Sequence, residues 1–425
     1  MGSRSLRYFL MATHIIGGGL AGLSTAVNLI RAGRGVHLYD SAGHCGGRCR
    51  SYFDSGLDRR IDNGNHLVLS GNRAVEEYLG HIDAPGELTG PDGAVYPFLD
   101  LATGGRWIVE MGAGRIPWWI FSTARRVPGS TPWDYLAALR LAWVSENDTV
   151  AGCLDTSSPL FEKFWEPLAV GILNTSTDEG AAALLWPVIR ETFGRGAAAC
   201  RPLIARVGLS ETFIDPAVDF ITANGAEIHL NTRLRALAMN GGRVSALEFN
   251  TGPVALSDGD SVVLAVPPVA AAGLLPGLET PTQHRAIVNG HFRLPHSTED
   301  LSFLGLVGGT AQWLFVRGDV ASVTVSAADA LAEQSSDNIA RILWGEVCLA
   351  LDLGDLELPA HRIVKEKRAT FAQTPEQVKR RAGVRTEWPN LFLAGDWTDT
   401  GLPATIEGTV HSGRTASETV LISSR

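Results

Sequence analysis

The stretch Thr13–Gly47, THIIGGGLAGLSTAVNLIRAGRGVHLYDSAGHCGG, constrains this chain more than any other. Ile15 and Ile16 read as the end of a short buried strand. A glycine-rich turn follows at Gly17, Gly18, Gly19, Leu20, Ala21 and Gly22. Leu23–Ala32 then has helical spacing, with Leu23, Ala26, Val27 and Ile30 on one face. Gly35–Tyr39 reads as a second strand, ending at Asp40. A GxGxxG turn between strand and helix, with an acidic residue about twenty positions on, is the dinucleotide-binding fingerprint in the context it needs. Each glycine has a mechanical reason. Gly17 permits the tight turn, Gly19 lets backbone N–H groups approach a pyrophosphate, and Gly22 lets helix and strand pack closely. The helix N-terminus presents positive dipole to the phosphates. Asp40, with Ser41 beside it, is placed to accept hydrogen bonds from a ribose diol.

A second glycine pair with a cation follows at Gly46-Gly47-Arg48. The pattern from GxGxxG through the acidic residue to GGR resembles the flavin amine oxidase and carotenoid desaturase superfamily, which implies FAD rather than NAD. The resemblance sets Arg48 facing the pyrophosphate in a charge-assisted contact. Taken alone, the same residues read as a surface turn with a solvated arginine.

The chain, at 425 residues, is too long for one small core and calls for two domains. Its composition, 45% hydrophobic and 19% charged, is that of a globular protein and excludes large-scale disorder. A net charge of −9 argues against nucleic acid as the main partner. Cys45 and Cys49 are the only close pair among five cysteines, and no second pair completes a metal-ligand set. Reduced thiols in the cytoplasm and no metal are the expectation. No run of about eighteen apolar residues is present to span a membrane. Residues 1–10, MGSRSLRYFL, mimic a signal peptide through Arg4 and Arg7. They lack a small-residue cleavage site and run straight into the first strand, so they read as a tag remnant or an upstream start.

Further along, RIDNGNH carries unusual polarity before Leu67-Val68-Leu69. Asp62 and Asn63 suit local turn bonds and His66 suits a half-buried histidine. The superfamily resemblance instead implies that this segment, with Asn65 and His66, lines the isoalloxazine ring. Val95–Leu99 and Arg106–Val109 read as a side sheet. Between Arg115 and Trp143, tryptophans mix with Arg115, Arg125, Arg126 and Arg140. Two readings stand there: helices of a substrate-domain core, or an interfacial contact with the inner face of the cytoplasmic membrane. Helices over Ser157–Cys200 suit a cavity wall for an apolar ligand and suit an ordinary core equally well. The pattern then returns to α/β, with a hairpin around Asn240-Gly241-Gly242 and a buried strand in Asp260–Val266. Leu234 in that block is where the adenine end is expected. Strands follow at Ile287–Leu294, Ser302–Leu306, Ala311–Val316 and Ser322–Ser326, then a helix over Ala327–Leu349. The charged strand Arg362–Thr370 reads as a solvated edge.

The last block, Pro389–Val420, holds a buried strand, Leu391–Ala394, then Gly395-Asp396 and LPATIEG leading into a helix. In the superfamily this turn sets the aspartate on the ribityl-pyrophosphate linkage and aims the helix N-terminus at the pyrimidine edge of the flavin. Thr405, Ile406 and Glu407 are the residues implied, and a helix dipole there stabilises negative charge on the ring. No cysteine lies in this block, so non-covalent FAD is expected.

RIDNGNHLVLSGN, FWEPLAVGILN, KEKRATFAQTP and NLFLAGDWTDTGLPATIEGTVHSG together resemble the hydroxysqualene dehydroxylase family of bacterial hopanoid pathways, across essentially the whole chain from Thr13. Asn65 departs from the glutamine more often expected there. The fold implied is α/β, a Rossmann-like FAD-binding domain interleaved with an α+β substrate domain. Residues 12–76, 206–268 and 384–425 form the first, and 77–205 and 269–383 the second. The reaction implied is reductive loss of a hydroxyl from a long apolar isoprenoid, hydroxysqualene, giving squalene and water. It needs an apolar tunnel, a hydride source, an electron donor that the sequence does not identify, and one general acid. Asp62 and His66 are the candidate acids, with Glu407 a third. A desaturase or amine oxidase of the same fold, and a non-enzymatic lipid escort, are the other classes. Intact dinucleotide motifs oppose the escort.

Overall fold

A computed structural model describes residues 11–84, 86–298 and 302–424. The reading of residues 1–10 lies outside them. The fingerprint strand Ala12–Ile16 sits at the centre of a five-stranded parallel sheet in the order 227–229, 35–39, 12–16, 261–264, 391–393. These strands are short, the central ones are largely buried and the edge strand 227–229 is not, and alternation divides the buried residues between two cores. Ile15, Leu38, Val263 and Phe392 meet the helices Leu20–Arg31, Asp215–Ala223 and Ile406–Ser423. Ile16, Tyr39, Val262, Leu264 and Leu393 turn to the opposite face, against the antiparallel sheet built from Leu234–Asn240, Arg243–Phe249 and Gly252–Ala255.

The helices Leu20–Arg31 and Ile406–Ser423 are locked together. A β-carbon on Gly413 of the last helix would fall on the Ala21 carbonyl oxygen of the first, so only glycine permits this approach. Ser24 Oγ donates to the Val410 carbonyl at 2.9 Å and Thr25 Oγ1 to that of Gly413 at 3.2 Å.

The other half is a seven-stranded sheet in the order 361–371, 284–293, 320–325, 313–317, 302–307, 95–100, 106–110. It is antiparallel except where 302–307 runs parallel to 95–100. Val95–Asp100 and Arg106–Glu110 are therefore not a separate side sheet. They extend this one, because Phe98 and Leu99 pair with Gly305 and Leu306. His361–Phe371 is an edge strand, as its charges suggested.

Helices in both halves are more broken than their spacing predicts. Asp329–Ala332 and Ser336–Ala350 replace one continuous helix, since Ser335 caps the second by accepting from Asn338 N at 3.2 Å. Phe161–Trp165 and Ser210–Ile214 are π turns, each running into a helix with proline in its first turn, Pro167 and Pro216. The tryptophan-rich segment folds as three short turns, Trp118–Phe121, Pro132–Leu136 and Ala137–Trp143, rather than long amphipathic helices. The segment divides between core and surface. Trp119, Ile120, Val127, Tyr135 and Leu141 pack inward, whereas Trp118, Trp133 and Trp143 are 70%, 75% and 81% exposed.

Candidate active site

One cavity of about 1590 Å³ runs between the parallel sheet and the seven-stranded sheet. Its wall takes in the first turn, at Gly17, Gly19, Leu20 and Ala21, and the second strand's end, at Asp40 and Ser41. Gly47, Arg48, Asn65, His66, Leu234, Gly395, Asp396, Thr405, Ile406 and Glu407 also line it. Segments separated by almost the whole chain thus converge on one space. Gly22 and Asp62, of the residues singled out in the sequence, do not reach it.

Gly22 acts from beneath. A β-carbon there would fall on the Gly17 carbonyl oxygen, so Gly22 permits the turn rather than touching what the turn holds. Gly17 itself has φ +113° and faces the Ala265 backbone. Gly19 differs: nothing lies within 4 Å of where its β-carbon would stand. It is the N-cap of Leu20–Arg31 and offers no side chain to the first-turn N–H groups. An open space over unpartnered helix N–H groups is the cradle a pyrophosphate requires, and the residues present fit the dinucleotide.

Asp40 is already engaged, Oδ2 accepting from Gly18 N at 2.6 Å and Oδ1 from Ala42 N at 2.7 Å. Each oxygen keeps a second lone pair for a ribose hydroxyl. Arg48 bridges the first and last blocks: Nη2 meets Asp396 Oδ1 at 2.8 Å and Nη1 donates to the Ala369 carbonyl. The Gly395-Asp396 turn is held by Gly395 N donating to Ser412 Oγ at 2.9 Å. Buried Gln373 takes a bond from Ala404 N at 2.8 Å and so fixes the loop before the last helix. Neither Ser412 nor Gln373 carried a signal in the sequence, because each serves a backbone that only the fold brings near.

The helix Ile406–Ser423 points its N-terminus at the cavity, with Thr405 Oγ1 accepting from Gly408 N at 3.2 Å. Glu407 is a fastener rather than an acid. Its carboxylate accepts from Ala74 N and Val75 N, each at 3.0 Å, and so caps the helix Arg73–His81. Burial raises its pKa, opposed by those two N–H groups.

Asp62 is corrected as a candidate acid. It is buried behind the wall, accepting from Ser51 Oγ at 2.6 Å and Leu209 N at 2.9 Å, and pairs with Arg317 Nη1 at 3.0 Å. A carboxylate engaged by three donors, away from the cavity, braces the turn. His66 does line the cavity. Burial pulls its pKa below the ordinary imidazole value, with Asp62 opposing and Arg48 reinforcing. Glu366 and Arg368 face the cavity from the edge strand, whereas Lys367 pairs outside with Glu333 at 2.7 Å. Alternation along the strand separates them.

The remaining wall is largely apolar, with Leu67, Leu168, Ile172, Ile287, Trp313 and Phe315. Asn174, left-handed at φ +45°, ties the helix end to the sheet through Thr370 Oγ1 at 3.0 Å and Ala327 N at 2.7 Å. Cys49 also reaches the wall, and burial raises its thiol pKa far above the ordinary value, keeping it protonated. All five cysteines are free thiols. Away from the cavity, strand pairing gathers His37, Glu227 and His229, a group the sequence reading passed over when it found no metal set. Glu227 Oε2 lies 3.3 Å from His37 Nδ1 and 3.1 Å from His229 Nε2, one carboxylate serving two rings.

Comparison with known proteins agrees with this arrangement. The family model described as flavin containing amine oxidoreductase matches residues 20–296 and 307–421. The hydroxysqualene dehydroxylase of Sinorhizobium fredii is 46% identical, over 96% of this chain and 98% of that one. That of Rhodopseudomonas palustris is 45% identical, over 97% and 99%. Wild-type putrescine oxidase, solved bound to putrescine, superposes with a TM-score of 0.68 at 14% identity, covering 97% and 99% of the two chains, which speaks to fold alone. The chain belongs to the flavin-containing amine oxidoreductase family and, within it, to the hydroxysqualene dehydroxylases.

Proposed function

We infer that this protein is an FAD-dependent hydroxysqualene dehydroxylase, converting hydroxysqualene to squalene and water. The observation that carries the reading is the meeting of both dinucleotide motifs and an apolar wall around one cavity of about 1590 Å³. Reduced flavin, when bound, supplies the hydride that replaces the lost hydroxyl. Gly17, Gly19, Leu20 and Ala21 hold the pyrophosphate against the first helix, with Gly22 supporting the turn. Asp40 and Ser41 take the ribose, and Leu234 the adenine. Gly47, Arg48, Gly395 and Asp396 follow the pyrophosphate and ribityl chain. Thr405, Ile406 and Glu407 present the last helix to the pyrimidine edge, and Asn65 and His66 border the ring. The binding is non-covalent in this reading, since no cysteine lies in the block 389–420 that presents the last helix to the flavin.

The hydroxyl of the substrate is allylic, so C–O cleavage leaves a delocalised cation and the departing oxygen takes a proton. His66 is the donor we assign, because Asp62 is behind the wall and Glu407 is a cap. The apolar wall keeps water from capturing the cation. In this reading 12–76, 206–268 and 384–425 make the FAD-binding domain and 77–205 and 269–383 the substrate domain, with the helix Arg73–His81 crossing the first boundary.

The partner that delivers the substrate, in this reading, is the membrane. No described helix is long and apolar enough to cross one. Exposed Trp118, Phe121, Trp133 and Trp143 beside exposed Arg115, Arg125 and Arg140 support docking on a surface of anionic lipid. The electron donor is a separate, unassigned partner.

The test is anaerobic. Photoreduced enzyme is mixed with hydroxysqualene while flavin reoxidation and organic product are followed together. Reoxidation with squalene appearing is expected. Flavin that stays reduced, in protein that retains it, would overturn the substrate assignment.

A further inference from the structure

Within the apolar wall, the cavity face of the seven-stranded sheet carries one chain of linked amides and a hydroxyl. Asn289 on His284–Arg293 stands in register with Thr324 on Val320–Val325, so the two share a face. Both are buried, at 1% and 7% exposure, and Asn65 reaches them from the loop after Asp62. All three line the cavity.

The polarity of this chain is fixed from one end. Asn289 Nδ2 donates to the Asn63 carbonyl at 3.3 Å, and a backbone carbonyl can only accept. That sets which way the Asn289 amide faces, and its Oδ1 accepts from Thr324 Oγ1 at 2.8 Å. With its proton committed, the Thr324 oxygen accepts in turn, and Asn65 Nδ2 donates to it at 3.1 Å. Asn65 is left with Oδ1 and one N–H that have no protein partner among the described residues. A free acceptor beside a free donor, held by two buried residues in a cavity whose wall also carries Ile287, Trp313 and Phe315, suits an alcohol. An alcohol donates one hydrogen bond and accepts others, whereas the hydrocarbon product can do neither.

We propose that the Asn65 side chain, oriented by Thr324 and Asn289, is the subsite that binds the hydroxyl of the isoprenoid alcohol, Oδ1 accepting its proton and Nδ2 donating to its oxygen. This rests on the function proposed above and assigns the recognition step within it. Donation to the oxygen favours its departure as water once His66 supplies the proton. Loss of the hydroxyl then leaves the Asn65 amide unpaired against squalene, which weakens product binding. Thr324 and Asn289 are positioning residues.

The test measures equilibrium binding of hydroxysqualene and squalene to FAD-loaded, oxidised enzyme, which holds no hydride and does not turn over. Wild type is expected to prefer the alcohol by about 10-fold or more. N65L should bring the ratio close to one while binding squalene at least as tightly as wild type does. T324V should lower it in part, and N65Q should restore some of it. Flavin content and melting temperature confirm that each variant is folded. An unchanged ratio in folded N65L and T324V would overturn the subsite and leave the function standing. Wild type that neither prefers hydroxysqualene nor is reoxidised by it when reduced would overturn both.

Discussion

The two sides of the cavity are made of different material. On the dinucleotide side the wall is backbone, set by glycines at which a β-carbon would meet a carbonyl oxygen, as at Gly17 and Gly22. On the isoprenoid side the wall is side chains, large and apolar, with one ordered polar chain through Asn65, Thr324 and Asn289. A backbone site tolerates almost no substitution, and its residues announce themselves. A side-chain site tolerates many, and its residues look like any core. The first side holds one invariant chemical object, and the second fits a flexible hydrocarbon whose only polar landmark is a hydroxyl.

The sharpest way to break this contrast lies within the glycine turn. Gly22→Ala puts a methyl on the Gly17 carbonyl oxygen and should cost about 3 kcal/mol or more, with loss of bound flavin and a fall of many degrees in melting temperature. Gly19→Ala puts the same methyl into open space. It should leave the melting temperature of flavin-free protein nearly unchanged while flavin content drops sharply. Equal destabilisation by both would mean that Gly19 is a packing residue and not part of a phosphate cradle.

Next in size is His66. General acids contribute about 10²–10⁴-fold, so His66→Gln should slow single-turnover reoxidation by about 10²-fold or more with squalene binding intact. The pH dependence has a definite sign. Burial holds the imidazole pKa below its ordinary value, so the protonated donor is scarce at neutral pH and accumulates as pH falls. The wild-type rate should rise as pH falls through roughly 6.5, the ordinary imidazole pKa, and keep rising below it, and the variant should be flat there. A variant that keeps the wild-type pH slope would remove His66 from the mechanism.

Asp396→Asn should act more mildly. It removes one charge from a pair in which Asp396 is buried and Arg48 is partly exposed. Charge-assisted bonds of this kind are worth about 1.5–3 kcal/mol, so flavin should dissociate about 10- to 100-fold more readily. Fluorescence recovery of released FAD would measure it. Unchanged retention would show that Arg48 is held sufficiently by the Ala369 carbonyl alone.

Legibility in the sequence follows the same division. Gly17 to Asp40 could be read because a tight turn, a close approach and a strand end each demand a particular residue, and the parallel sheet appeared where those signals put it. For Asp62 the sequence offered a turn brace and an acid without deciding between them, and what Glu407 does could not be read. Both were placed correctly near the site by their neighbours in sequence, yet their partners, Arg317 for one and the Ala74 and Val75 amides for the other, lie more than two hundred residues away. Asn289 and Thr324 carried no signal for the same reason: a strand register, not a motif, makes them a pair. The break at Ser335 went unread because the apolar spacing over 327–349 runs across it, and only the fold shows Ser335 capping a second helix.

The smallest effect belongs to the surface of the isoprenoid side, where the apolar wall's chemistry reappears in solvent. Trp118, Trp133 and Trp143 come from turns whose inward residues, Trp119, Tyr135 and Leu141, already belong to the core, so the exposed rings are not needed to fold the segment. Replacing Trp133 and Trp143 with serine should therefore leave melting temperature and turnover of detergent-dispersed substrate unchanged. Partition onto vesicles of anionic lipid should fall, and turnover of vesicle-embedded hydroxysqualene should slow by about a few-fold. Salt separates the two contributions. Attraction between Arg115 or Arg140 and lipid phosphates is screened over about 10 Å at 0.1 M salt, whereas burial of an indole is not. Wild type should keep part of its vesicle binding at 0.5 M salt, roughly a 4 Å screening length, and the double serine variant should lose nearly all of it. If the two proteins lose binding in parallel, charge alone holds this face to the membrane and the tryptophans serve something else.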